Sequence, residues 1–286
     1  MSETFIKSLS GHSGCEISLF RENNCFFVRK TAGRPEYNKR LRIQIAKQVS
    51  YKSAKNSNIR VPQIYKTGIQ DGIFYFDMEY LNCCTMAKYM ETVSIKEIPA
   101  FVGMIVNELH IEDSIIMPET NEIFQKKIKS LYNNIPTEDV YINALKRLEG
   151  FDFSEIPYSK CHGDLTLENI LLDVKSNIYL IDFLDSFFDS WMIDVAKILQ
   201  DLELQWSYRH EEISSNLELR LAVARDNLIK YISELPDGEK KFLQIYYILL
   251  LNVIRIVPYA KDDTTIDFLH KAIAKLNKIL DNKENK

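Results

Sequence analysis

Three oxygen-bearing side chains stand at spacings that could hold a cation and move a phosphoryl group. Asp164 and Asn169 lie five residues apart in "CHGDLTLENILLD", and Asp182 follows thirteen residues later at the end of "NIYLIDF". Two short β-like runs, "NILLD" and "NIYLIDF", read as a hairpin. Such a hairpin returns the end of its second strand to the loop before its first, so the three groups can converge. A hard cation with phosphate ligands needs only one or two protein oxygens, because waters and phosphates supply the rest. A further carboxylate within reach of a hydroxyl could orient it and accept its proton.

The same stretch offers a thiol beside an imidazole, but Cys161 and His162 are adjacent, and neighbours in extended chain point to opposite faces. His162 reads instead as a residue that hydrogen-bonds the loop, and Cys161 as a small buried apolar one. A plainer reading, in which Asp164 and Asn169 cap a turn and Asp182 ends a strand, leaves the triple spacing as coincidence. "HGDLTLEN" followed by "LIDF" resembles the catalytic loop and metal-binding segment of the aminoglycoside phosphotransferase and choline kinase family, small-molecule relatives of the protein kinases. The resemblance implies a catalytic-base role for Asp164, magnesium-ligand roles for Asn169 and Asp182, and ATP as the phosphoryl donor, with GTP not excluded. It also implies an α+β, bilobal protein-kinase-like fold with a β-rich N-lobe and a mainly helical C-lobe.

The elements that would position these residues follow from periodicity. "CEISLFRENNCFFVRK" holds two β-rich runs split by a turn near Asn23 and Asn24, so two strands start the chain. A polar helix is expected from about Tyr37 to Ser53, and "NIRVPQIYKTGIQDGIFYFDMEYL" reads as strand, turn at Asp71 and Gly72, strand. From Ser94 onward apolar residues recur at three- and four-residue spacing, and helices resume near Met192 after the short hairpin. The expected division is an N-lobe of residues 1–81 and a C-lobe of 82–286, with the change of pattern between Leu81 and Thr85.

Within the resemblance, Gly11 and Gly14 sit where a phosphate-covering loop belongs, since missing side chains let backbone N–H groups approach a phosphate. Alternation in "FFVRK" places Lys30 in line with Phe26 and Val28 and turns Arg29 the other way, so Lys30 is the candidate phosphate-binding lysine. Its orienting acid is expected on the next helix. Glu36 is one candidate, and deeper in that helix an amide such as Gln44 is the other. Met78, Glu79, Tyr80 and Leu81 resemble the hinge that reads adenine through backbone groups, and Asp194 in "SWMIDVAKI" resembles the aspartate that holds the catalytic loop's backbone.

Composition narrows the class. With 36 basic and 40 acidic residues among 286, the net charge of -4 gives no uniformly basic face, so nucleic acid is not the expected partner. Five cysteines without a C-x-x-C pair fit a reducing cytoplasm rather than a disulfide framework. The apolar run "FLQIYYILLLNVIRIV" carries Gln244, Asn252 and Arg255 and reads as a buried helix, so no membrane partner is expected. Gly163 stands where regulated protein kinases carry Arg, and few residues separate Asp182 from the helix near Trp191, which favours a small-molecule hydroxyl acceptor over a peptide. Asp185, Asp189, Asp201 and Glu203 near Trp191, Trp206 and Tyr208 suggest a cationic acceptor such as an amino alcohol or aminosugar; solvated faces and core aromatics are an equal alternative. A non-catalytic nucleotide-binding module and a protein kinase are the rival readings.

Overall fold

Edge exposure explains the first departure from these expectations. In the computed structural model, which describes residues 3–9, 14–53 and 59–284, a strand β1 (Thr4–Leu9) precedes the two anticipated ones. Five of its six residues are exposed, so it shows no apolar alternation to read; it pairs as an edge strand with β2 (Cys15–Glu22). The β2 to β3 (Cys25–Ala32) turn is as expected, with Asn23 and Asn24 at φ of 50° and 62°. Both values suit a tight two-residue turn whose twist matches its strands. Helix α1 (Asn38–Ser50) follows a 3-10 turn at Pro35–Tyr37, where proline's fixed φ starts the helix.

A two-residue strand β4 (Ile59–Arg60) precedes β5 (Ile64–Gln70) and β6 (Ile73–Glu79), joined through Asp71 and Gly72, both at positive φ. The five-stranded sheet runs β1-β2-β3-β6-β5, antiparallel throughout. Leu19, Val28, Ala32, Phe74, Phe76 and Met78 share one buried cluster with Leu41 of α1, which packs on β6. Each such fully buried apolar side chain contributes about 1.5–3 kcal/mol.

After β7 (Cys84–Thr85) the chain turns helical through α2 (Met86–Met90), α3 (Ile98–Val106), α4 (Thr120–Lys129) and α5 (Asp139–Gly150). The hairpin of β8 (Ile170–Leu172) and β9 (Ile178–Leu180) is followed by α6 (Trp191–Leu202), α7 (Ser215–Glu234), α8 (Gly238–Ile254) and α9 (Asp263–Glu284). The chain divides into two compact units, one reaching to Met86 and including Asn169–Asp185, the other made of Ala87–Glu168 and the residues from Ser186 on. A contiguous 1–81 and 82–286 division therefore differs from the observed one. The reason is hydrogen bonding: β8 pairs with β7, and β9 with β4, in a small sheet of order β4-β9-β8-β7 that belongs to the first unit.

In the second unit α8 has the length and apolarity of a membrane-crossing helix, yet Phe242 and every residue from Gln244 to Ile254 are buried among α6, α7 and α9. It is the core helix of that unit, as its sequence suggested. Helix α6 is buried at every position except Lys197. Ser190 starts it, its hydroxyl accepting from the backbone N–H of Met192 at 3.2 Å.

Candidate active site

In the first unit, strand parity decides which basic residue faces inward. Lys30 stands on the same sheet face as Val28 and Ala32 and is 1% exposed; its Nζ donates to Asp182 Oδ1 at 2.8 Å. Arg29, one residue away, points to the other face, where it donates to both oxygens of Asp77 at 2.7 and 2.8 Å and pairs with Glu3 at 2.8 Å. That paired guanidinium is held even more firmly protonated than usual, mainly by its bond to Asp77. The expectation that Lys30, not Arg29, is the inward lysine agrees with this placement.

Glu36 is not the partner of Lys30. It belongs to the 3-10 turn before α1, is 74% exposed, and lies 3.8 Å from Arg34. A helix start offers no buried face to reach a sheet residue. Gln44 and Gln48 do lie on the buried face of α1 with Leu41. Gln48 donates to Pro62 O at 2.9 Å, and Gln44 Oε1 is buried without a hydrogen-bond donor. The acid on Lys30 is instead Asp182, which arrives from 152 residues later in the chain.

The two short runs do form a hairpin. Ile181 N donates to Asn169 O at 3.1 Å, which closes β8 against β9 and sets Asn169 beside the residue that precedes Asp182. Asp182 adopts φ 61°, a left-handed conformation that aspartate tolerates better than most residues. The segment after it is anchored to α1: Lys47 donates to Leu184 O at 2.9 Å, and the rings of Tyr51 and Phe183 lie 5.3 Å apart. An amide oxygen and a half-buried carboxylate at one end of a hairpin form a donor set suited to magnesium, which takes few protein oxygens. Among the described residues, no three His, Cys, Asp or Glu side chains cluster to bind a metal by themselves.

Of the other nucleotide-site candidates, Gly11 lies outside the described residues. Gly14 has φ +68° and accepts at its carbonyl from Gly33 N at 3.2 Å, a backbone approach and conformation that glycine permits. Met78 and Glu79 end β6 opposite Val28 and Phe27, while Tyr80 and Leu81 follow the strand. Glu79 exchanges bonds with Gln63, N–H to carbonyl at 2.8 Å in one direction and N–H to carboxylate at 3.2 Å in the other.

In the second unit, one face of α6 holds the loop that carries Asp164. Asp194 accepts from His162 N at 2.7 Å and Gly163 N at 2.8 Å, the backbone-holding role its motif implied. Lys197, one turn on, pairs with Asp164 Oδ1 at 3.0 Å. Asp201, a further turn on, accepts from Leu167 N at 2.6 Å and from Ser207 N and Oγ at 2.8 and 2.7 Å. Positions i, i+3 and i+7 share a helix face, so the stripe meets residues 162–167 in chain order. Burial pushes the Asp201 carboxyl up to about 6, against the pull of those hydrogen bonds.

Lys197 and Asp201 were not singled out for these roles from sequence, although their spacing from Asp194 within an otherwise apolar helix is a signal. Gly163 has φ +87°, so glycine is needed there for conformation as well as for the absence of an arginine. His162 is buried, and its Nδ1 accepts from Asp164 N at 3.2 Å, a structural part as expected. Cys161 Sγ lies 3.4 Å from Asp189 Oδ1.

Part of the acidic, aromatic segment is engaged internally, whereas Asp185 is exposed and Asp189 half-buried. Asp201 and Glu203 are buried and engaged within the unit, Glu203 with Lys275 at 2.8 Å and with the Tyr246 hydroxyl at 3.2 Å. Trp191 and Tyr208 are buried, and Arg209 covers the Trp206 ring at 4.0 Å. Asp201 and Glu203 became internal partners, because buried carboxylates must find donors.

No family model and no curated protein matches the chain. Solved structures do. Aminoglycoside phosphotransferase APH(4)-Ia is similar at a TM-score of 0.64 and 13% identity, covering 98% of this chain and 94% of its own. Choline kinase LicA from Streptococcus pneumoniae is similar at 0.55 and 15%, covering 97% and 94%. APH(2")-IIIa, in its complex with GDP and kanamycin, is similar at 0.58 and 12%, covering 97% and 93%. The chain therefore has the protein-kinase-like α+β fold that aminoglycoside phosphotransferases and choline kinase share.

Proposed function

We propose that this chain is a phosphotransferase that moves the γ-phosphoryl group of ATP, or of GTP, to a hydroxyl of a small molecule. The observation that carries the reading is the β8–β9 hairpin, whose Ile181 N to Asn169 O bond returns the residue before Asp182 to the backbone of Asn169 across a thirteen-residue spacing. Support comes from the fold, since similar structures include a complex of APH(4)-Ia with AMP-PNP and hygromycin B.

In this reading Asn169 and Asp182 hold magnesium, which when bound neutralises charge on the phosphate oxygens. Lys30 orients Asp182 and contributes positive charge for the phosphates. The Gly14 backbone and the Met78–Leu81 segment face the nucleotide. Asp164 receives the acceptor's proton as the acceptor oxygen bonds to the γ-phosphorus; the bond from that phosphorus to the bridging oxygen breaks, and a nucleoside diphosphate leaves. Asp194 and Asp201 keep the loop's backbone fixed so that Asp164 costs little to orient.

The test is Asp164→Ala. The variant is expected to fold and to bind Mg-nucleotide as judged by thermal shift, while transfer falls about 10²–10⁴-fold. Retained turnover with the true acceptor would remove Asp164 from this role. One observation favours a second reading, a nucleotide-binding module without turnover: Asp182 is engaged by Lys30, and the buried positions of α1 are Leu41, Gln44 and Gln48, none of them an acid. Nucleotide-induced stabilisation without magnesium-dependent hydrolysis in the wild-type protein would favour that module.

A further inference from the structure

Helix α6 presents one residue to the loop that is neither buried nor bonded to backbone. Asp194 and Asp201 take N–H groups, whereas Lys197 takes the side chain of Asp164 itself. Resting on the phosphotransferase reading, we propose that Lys197 is a positioning residue of the reaction, fixing the Asp164 carboxylate for the acceptor hydroxyl.

The loop's backbone is already held without Lys197. Asp194 holds residues 162 and 163, Thr166 N donates to Asp164 O at 2.8 Å, and Asp164 N donates to His162 Nδ1. Those bonds set where the Asp164 Cα lies. An ammonium at 3.0 Å on Oδ1 selects one rotamer, and with it the direction of the second oxygen. Lys197 can do this because its methylenes lie along buried helix surface while its charged end, 13% exposed overall as a side chain, reaches the loop.

As the acceptor oxygen bonds to phosphorus its proton becomes acidic, and then passes to Asp164 while the bond to the bridging oxygen breaks. The ammonium keeps its own proton throughout, so protons and charge balance without another reactant.

The experiment compares Lys197→Met, Lys197→Arg and Asp164→Asn, reading Mg-ATP hydrolysis with water as acceptor alongside transfer to hydroxyl acceptors found by screening. Lys197→Met is expected to lower kcat about 10²-fold, within the range seen when one charge-stabilising donor is lost. Its KM for ATP should stay within about twofold, because uniform binding is untouched. Lys197→Arg, which keeps the charge on a longer fork, should recover about tenfold of the loss. Equal kcat in wild type and Lys197→Met, with Asp164→Asn inactive, would overturn this inference and leave the phosphotransferase reading standing. Equal losses in the Met and Arg variants with a matching fall in thermal midpoint would reduce Lys197 to a structural contact. Absence of all transfer in the wild-type protein would overturn both. Should the Met variant not fold, Lys197→Gln takes its place in the comparison.

Discussion

Lys30 and Lys197 each hold a carboxylate, one in each unit, and they do so from different kinds of element. Lys30 sits on a strand and is 1% exposed against 27% for Asp182; Lys197 sits on a helix and is 13% exposed against 31% for Asp164. In both pairs the acid is the more accessible partner, as a group that must meet ligand should be. The difference lies in the lysines: one is sealed in an apolar sheet face, the other lies along a helix with its end near solvent. Removing the acid should therefore be costly in the first unit and mild in the second.

Asp182→Ala sharpens that contrast most. It leaves the Lys30 ammonium buried without a countercharge, a loss on the order of 3–5 kcal/mol in urea unfolding. Asp164→Ala leaves a partly solvated lysine and should cost about 1 kcal/mol or less. Lys30→Met should also cost less than Asp182→Ala, because the carboxylate it strands can reach water. Similar losses for the two aspartate variants would break the comparison.

The next effect concerns Asp201, whose carboxyl is raised from its ordinary range to about 6. The folded protein then binds more protons than the unfolded chain between about pH 4 and 6, so stability from this group falls as pH rises through that window. The total is about 3 kcal/mol at most, fully lost above pH 6. Asp201→Asn should flatten that part of the stability profile, though it also weakens the bonds to Leu167 and Ser207. An unchanged slope would show that Asp201 is not the titrating group.

Gly163→Ala comes third. At φ +87° a side chain adds strain of about 1–2 kcal/mol, and transfer should fall with it because Asp164 is the next residue. Glu36→Ala is the smallest: an exposed pair at 3.8 Å should contribute less than about 0.5 kcal/mol, and transfer should not change. A large loss there would restore Glu36 as a working partner of Lys30.

What could be read from the sequence depended on how local each signal was. The inward turn of Lys30 needs only the two-residue period of its strand, and the β8–β9 hairpin needs only two short runs, so both were legible. The β1 strand was not, because an exposed edge carries no apolar alternation; nor were β4 and β7, each two residues long. Sequence order points to the adjacent helix for the Lys30 partner, whereas Asp182 comes from far along the chain, and no periodicity reports such a pairing. Lys197 and Asp201 lie between these cases. Their helical spacing from Asp194 is written in the sequence, but that they face the Asp164 loop depends on tertiary packing.

The central claim is tested most directly by transfer of labelled γ-phosphate from Mg-ATP to a library of small hydroxylated compounds, run in parallel on wild type and Asp164→Asn. The expected result is a labelled small-molecule product with wild type alone, while both proteins bind the nucleotide. Labelled product from both at similar rates, or nucleotide binding by neither, would contradict the account.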